Sequence, residues 1–227
     1  MNDLKTDVGP RAVPWGLRDV WLGIVCLVAW MLIAFGAAVV LRRMHWPGLA
    51  TPLLAALELV LFLPVWWLAV RQYGARWRDL GLSGFRLRHL GLGVVLFVPV
   101  LGISAVYQTW LAQQGLEMQP GLEQVLSGGP FPVLLAVTVV VLAPLAEEVF
   151  FRGFLFAGIA KRLSWPVGAV LSAFLFALLH VQPLAVPPLF LLGLLFAVLY
   201  QRSGSIWPAI ILHATLNALA LIGVYLA

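Results

Sequence analysis

The sequence predicts an all-α fold, a polytopic bundle of transmembrane helices with about seven membrane segments, and three observations predict it. Hydrophobic residues make up 63% of the 227 residues and charged residues only 10%, where a soluble domain carries roughly a quarter charged. Mean hydropathy is +1.02, more apolar surface than a water-soluble fold of this size can hide. The apolar residues fall into charge-poor runs near the length of about 20 residues that a helix needs to cross a hydrocarbon core. Low charge argues against disorder, and the absence of a heptad or glycine period argues against coiled coil and collagen. The single cysteine, Cys26, excludes a disulfide scaffold.

The runs cover 20–41, 52–70, 90–111, 131–160, 166–181, 186–200 and 206–227. The first follows mostly polar residues, exceeds a signal-peptide core in length and lacks a small-residue cleavage site, so it is expected to stay as an anchored helix. Cys26, within it, is expected to be a small buried apolar residue. The second is interrupted only by Glu58 and the third by no charge at all. The fourth is the longest and the most polar, with Glu147, Glu148 and Arg152 inside it. The fifth and sixth are short for full spans, which leaves two arrangements open: tilted crossings, or a re-entrant hairpin turning near Gln182 and Pro183. The seventh carries His213 and Asn217.

Orientation follows from the basic residues. Eleven of the 14 Lys and Arg fall in alternate loops on one side, Arg42 and Arg43 lie on the other, and Arg152 lies within a run. The positive-inside rule therefore puts the N-terminus in the cytoplasm. Trp21, Trp46, Trp66, Trp67, Trp77, Trp110, Trp165 and Trp207 lie near run ends, as an interfacial belt requires, whereas Trp30 is mid-run and is expected to pack. The net charge of +5 is spread between apolar blocks, which suits a lipid bilayer with anionic headgroups and not a nucleic acid. The loop 112–130 carries Glu117 and Glu123 with no basic residue, and Leu116, Met118, Leu122 and Val125 could lay one face on the outer interface.

Ionisable groups at bilayer depth cost at least about 2.5 kcal/mol each and are the first functional candidates. Glu148 and Arg152 are spaced i, i+4, so they share a helix face and can pair. Glu147 is about 100° round the helix from Glu148 and is left as the available carboxylate. His213 and Asn217 are also i, i+4 neighbours, and Phe176 stands four residues before His180, where it can pack on that ring. Counted inward from the basic loops, Glu147 and His180 both lie roughly 21 Å deep, with His213 and Asn217 at roughly 12 and 18 Å. Matched depth on three helices points to one shared polar cavity. Glu58 stands apart, and helix packing and support of the site are both open for it.

A carboxylate, two imidazoles and an amide suit hydrolysis by water: Glu with one His to deprotonate it, and a second His with Asn to hold the developing oxyanion. Zinc is the metal such a set could take, with Glu147, His180 and His213 as ligands and an open fourth position. Metal-free water activation is placed first, because no H-E-x-x-H helix is present and Asn is a poor zinc ligand. No Ser accompanies the cluster, and Cys26 is on the first run.

The stretches LAPLAEEVFFRGFL, FALLH and SGSIWPAIILHATLN resemble the three-motif signature of the Abi family, also called CPBP, which includes CAAX prenyl endopeptidases and bacteriocin self-immunity proteins. The motifs are E-E-x-x-x-R at Glu147, Glu148 and Arg152, F-x-x-x-H at Phe176 and His180, and H-x-x-x-N at His213 and Asn217. The resemblance implies an intramembrane endopeptidase acting on a membrane-associated or lipidated, CAAX-type, protein, glutamate-dependent or zinc-dependent. It implies Glu147 as catalytic glutamate, His180 as water-activating imidazole, His213 and Asn217 as oxyanion donors, and Glu148, Arg152 and Phe176 in support. It further implies a catalytic membrane core over 131–227 after N-terminal helices over 1–130, and the 12 Arg against 2 Lys hint at a GC-rich bacterial genome and so at a bacterial inner membrane. A non-catalytic scaffold, an immunity protein or a transporter is the alternative. A transporter would more naturally show two comparable polar halves, and here the intramembrane polarity lies almost wholly after Phe131.

Overall fold

Helix is the secondary structure that satisfies every backbone polar group within one segment, so a chain this apolar builds its membrane part from helices. The computed structural model describes residues 12–44, 49–118 and 131–226. Among them run α1 (Leu17–Arg43), α2 (Thr51–Arg71), α3 (Leu87–Gln113), α4 (Pro132–Arg162), α5 (Trp165–Leu179), α6 (Val186–Ser203) and α7 (Trp207–Leu226), and no strand occurs. Six have the length and apolarity to cross a membrane, while α5 is a shorter apolar helix of 15 residues. The all-α polytopic bundle expected from the sequence is what the chain adopts. The loop 119–130, with Glu123, Leu122 and Val125, lies outside the described residues, as do Lys5, Arg11 and Trp46.

The centre of the bundle is α4, in which every residue from 146 to 159 is buried. A helix apolar all round belongs inside other helices, and Phe150, Phe151, Phe154 and Phe156 fill its surroundings on every side. It is not a regular α-helix. Thr138–Leu142 and Val149–Phe156 are π-helical, flanking the α-helical Ala143–Glu148 that carries both glutamates. Single π turns inside helices recur at functional sites.

Around α4, α5 and α6 form the tightest helix pair, α7 lies against α4 and α6, and α3 packs outside α6 and α7. A small cluster of Phe97, Leu192, Phe196, Leu199 and Leu212 joins α3, α6 and α7. Two glycines permit these approaches. A Cβ on Gly193 would sit 2.8 Å from Ala173 Cα, and one on Gly153 would sit 2.5 Å from the Leu80 carbonyl oxygen. The first lets α6 touch α5, and the second lets the short turn Trp77–Leu80 rest on α4.

The N-terminal approach is also tied to α4. Trp15 is fully buried, stacks on Phe154 with ring centroids 5.8 Å apart, and donates its indole N–H to the Phe154 carbonyl at 3.0 Å. Lys161 donates to the Val13 carbonyl. Asp19 accepts hydrogen bonds from the Tyr73 hydroxyl at 2.9 Å and the Gly16 amide at 3.0 Å, and the first of these raises the Tyr73 hydroxyl above its ordinary pKa. Trp30 packs as expected and donates to Leu57 O on α2 at 3.0 Å.

Two details depart from the sequence expectation. Cys26 is exposed, not buried, and lines an apolar groove of about 460 Å³ between α1 and α2 with Trp30, Leu57, Leu61 and Trp67. Exposure there is compatible with a membrane, because lipid can cover an apolar side chain as well as a second helix can. The sixth segment is not short: α6 continues past Tyr200 through Arg202 to Ser203 and is preceded by the turn Pro183–Ala185, giving a 21-residue stretch. Ser203 Oγ donates to Leu199 O at 2.7 Å there, and Gly204, at φ 65°, ends the helix. The α5–α6 turn does fall at 180–185, where Gln182 and Pro183 were expected to make it.

Candidate active site

The i, i+4 spacing on α4 produces the ion pair it predicts. Arg152 Nη1 donates to Glu148 Oε1 at 2.7 Å, and both side chains are wholly buried. Removing two charges from water is unfavourable unless other partners compensate, and Arg152 has them. Its second Nη donates to the Gly193 carbonyl at 3.3 Å, and its guanidinium carbon lies 4.5 Å from the Phe176 ring centre and 5.1 Å from that of Phe196. Aromatic faces attract a cation and do so more strongly when it is desolvated.

From α7, His213 enters between the two glutamates. Its Nδ1 is 3.2 Å from Glu148 Oε1, and its Nε2 is 3.9 Å from Glu147 Oε2. The first distance is a hydrogen bond to an acceptor, whereas the second exceeds direct bonding. Phe196 stacks on the imidazole with ring centres 5.4 Å apart, and Phe176 meets its edge at 5.7 Å. The ring is thereby held in one plane.

Phe176 is the hub of the arrangement. Besides Arg152 and His213 it contacts His180, whose ring lies 5.1 Å away edge-on, as the i−4 spacing predicts. His180 Nδ1 is 3.0 Å from the Phe176 carbonyl. A carbonyl only accepts, so Nδ1 carries the hydrogen and Nε2 is the nitrogen left basic. His180 and Glu147 form no ion pair within 4.0 Å among the described residues, and His213 is the imidazole next to Glu147. The residue after His180, Val181, has φ 52°, a conformation that a β-branched side chain adopts only under strain.

Asn217 lies one turn beyond His213 and reaches a different part of α4: its Nδ2 donates to the Val139 carbonyl at 2.8 Å. The two motif residues on α7 thus meet α4 at two points, a side-chain cluster and a backbone atom.

Glu58 is the residue whose place the sequence left open. It is 8% exposed, its Oε2 has no hydrogen-bond partner, and its helix packs against the Ala143–Glu148 segment that carries Glu147. Its signal in the sequence was that it is the sole charge in an otherwise apolar run. Glu147, also 8% exposed, has Oε2 without a hydrogen-bond donor, as has Glu148 Oε2. Three buried carboxylates with one guanidinium are more acid than a structural ion pair needs. No three of His, Cys, Asp and Glu converge as a metal site among the described residues, Glu147, His180 and His213 included.

Fold and site together define a polytopic helical membrane protein with a carboxylate–imidazole cluster buried between its helices. Residues 129–219, which hold the whole cluster except Glu58, match the family model described as type II CAAX prenyl endopeptidase, Rce1-like. The family resemblance read from the three motifs is borne out over that segment. An Escherichia coli protein described as "Uncharacterized 24.3 kDa protein" is 35% identical over 98 residues, 41% of this chain and 45% of that protein. "Putative membrane peptidase YdiL" of Bacillus subtilis (strain 168) is 23% identical over 132 residues, 58% of this chain and 53% of that protein. The chain thus spans about half the length of these curated relatives. No solved structure matches it.

Proposed function

We propose that this chain is an intramembrane endopeptidase that hydrolyses a peptide bond of a membrane-associated or lipidated, CAAX-type, protein, using water activated by Glu147. The observation that carries the reading is Glu147 itself: a buried carboxylate with a free oxygen, beside an imidazole, on a helix that crosses the membrane. Glu148 is committed to Arg152 and His213. Glu147 is not committed.

In this mechanism Glu147 takes a proton from water as the oxygen attacks the scissile carbonyl carbon, with His180 Nε2 as the second basic group toward that water. The carbonyl π bond opens and its oxygen becomes the oxyanion, which Asn217 stabilises through its second N–H and His213 stabilises when it carries a proton on Nε2 as well as on Nδ1, in a site shielded from bulk water. Collapse of the tetrahedral intermediate breaks the C–N bond, and the proton held by Glu147 passes to the leaving nitrogen. Glu148 and Arg152 hold His213 in place, and Phe176 holds both imidazoles. The catalytic core is assigned to 131–227, with 1–130 as accessory helices, and the protein to a bacterial inner membrane with its N-terminus in the cytoplasm.

The test is cleavage of a lipidated CAAX-type reporter peptide by the purified chain in detergent, wild type against Glu147→Gln, with and without a zinc chelator. The expected result is cleavage by wild type that the chelator leaves intact and Glu147→Gln abolishes, with both proteins equally folded. Full activity of Glu147→Gln overturns the assignment of the base, and loss of wild-type activity with the chelator overturns the metal-free step.

A further inference from the structure

The π turn Thr138–Leu142 leaves a backbone carbonyl on α4 without the donor that helix geometry would supply. In an α-helix Val139 O would accept from the amide of residue 143, but the Ala143 amide is bonded to Thr138 O, five residues back. Continued π pairing would offer Val139 O to residue 144, which is Pro144 and has no N–H. A buried carbonyl left without a donor is costly. Asn217 Nδ2 on α7 supplies the missing bond at 2.8 Å.

We propose that Pro144 is a positioning residue: by withholding an N–H it reserves the Val139 carbonyl as the anchor of the Asn217 amide, and so locks α7 in register on α4. The amide of Asn217 has two N–H donors. Once one is committed to Val139 O the amide plane is fixed, and the other points in a set direction. His213 stands one turn earlier on the same face of α7 and reaches Glu147 and Glu148 on the same helix α4. The anchor therefore fixes the height of both groups against the glutamates. Its consequence for catalysis rests on the hydrolase reading above, whereas the anchor does not.

The experiment is a double-mutant cycle on the full chain in detergent micelles, read by thermal unfolding and by reporter cleavage. Asn217→Ala should lower the melting temperature by several degrees, because Val139 O is orphaned. Pro144→Ala provides an amide at residue 144, so in that background Asn217→Ala should lower it by less than half as much. Equal losses in the two backgrounds overturn the proposal. If Asn217→Ala alone does not fold, recovery of a folded double variant is the expected result, and failure of the double variant as well overturns it. In the cleavage arm Pro144→Ala should lower kcat about tenfold with KM little changed, since small misplacements of oriented groups cost that much or more; an unchanged kcat overturns the positioning role. A wild type without peptidase activity would refute the hydrolase reading alone, and the thermal cycle would still decide the anchor.

Discussion

Arg152→Met is the substitution that tests the buried cluster most directly. Methionine approximates the length of the arginine stem and keeps its contacts with Phe176 and Phe196, so the change is chiefly the removal of one positive charge. That charge is wholly buried and donates to Glu148 at 2.7 Å and to the Gly193 carbonyl at 3.3 Å. Without it, Glu148 keeps only His213 as a hydrogen-bond partner among the described residues. Breaking a buried pair by removing one member costs about 3–5 kcal/mol, because the charge that remains has lost its compensation. For a chain of this size that lowers the melting temperature by roughly 6–20 °C. It is also a large part of the total stability of a typical fold, about 5–15 kcal/mol. Removing both members is a different perturbation. Arg152→Met with Glu148→Leu eliminates the uncompensated charge, and the double variant should regain more than half of the loss. The assay is thermal unfolding in one detergent for wild type, both single variants and the double. A melting temperature for Arg152→Met within about 2 °C of wild type, or a double variant no more stable than Arg152→Met, would refute the reasoning.

Three further outcomes follow from the same structure. Val181→Gly should raise stability by about 1 kcal/mol through release of the left-handed valine at φ 52°, and a lowered melting temperature would contradict the strain. Gly193→Val forces atoms into the 2.8 Å approach of Ala173 and should lower stability by about 1–3 kcal/mol, as overpacked sites do; a proton or fluorescence melt with no change would show that α5 and α6 do not approach so closely. Glu58→Gln keeps the side-chain shape and removes a buried carboxyl whose Oε2 has no hydrogen-bond partner, so it should leave the protein at least as stable as wild type. A lowered melting temperature for that variant would place Glu58 in an ion pair instead.

What could be read from residues alone divides along the range of the interactions involved. The ion pair Glu148–Arg152 and the contact of Phe176 with His180 were legible because both span four residues on one helix, where the 3.6-residue period sets the geometry. Glu58 was visible as an anomaly, yet its neighbour was not, because α2 and α4 meet through tertiary packing and no local spacing encodes which faces touch. Asn217 was expected to share a target with His213, and the structure sends the two to different points on α4. The reason is the π turn, which changes which backbone carbonyls lack donors and leaves little mark in composition.

By itself the sequence determined that the chain is a bundle of membrane helices and which side chains are too polar for lipid, since hydrophobic transfer and helix periodicity act residue by residue. Only the tertiary structure decided that α4 is the buried axis, that Cys26 faces outward, that the helix of Glu58 packs on the segment of the two glutamates and that a backbone carbonyl holds Asn217. Those outcomes depend on the packing of helices far apart in the chain, where apolar surfaces are interchangeable to lipid and only shape, close glycine contacts and unsatisfied polar atoms select one arrangement.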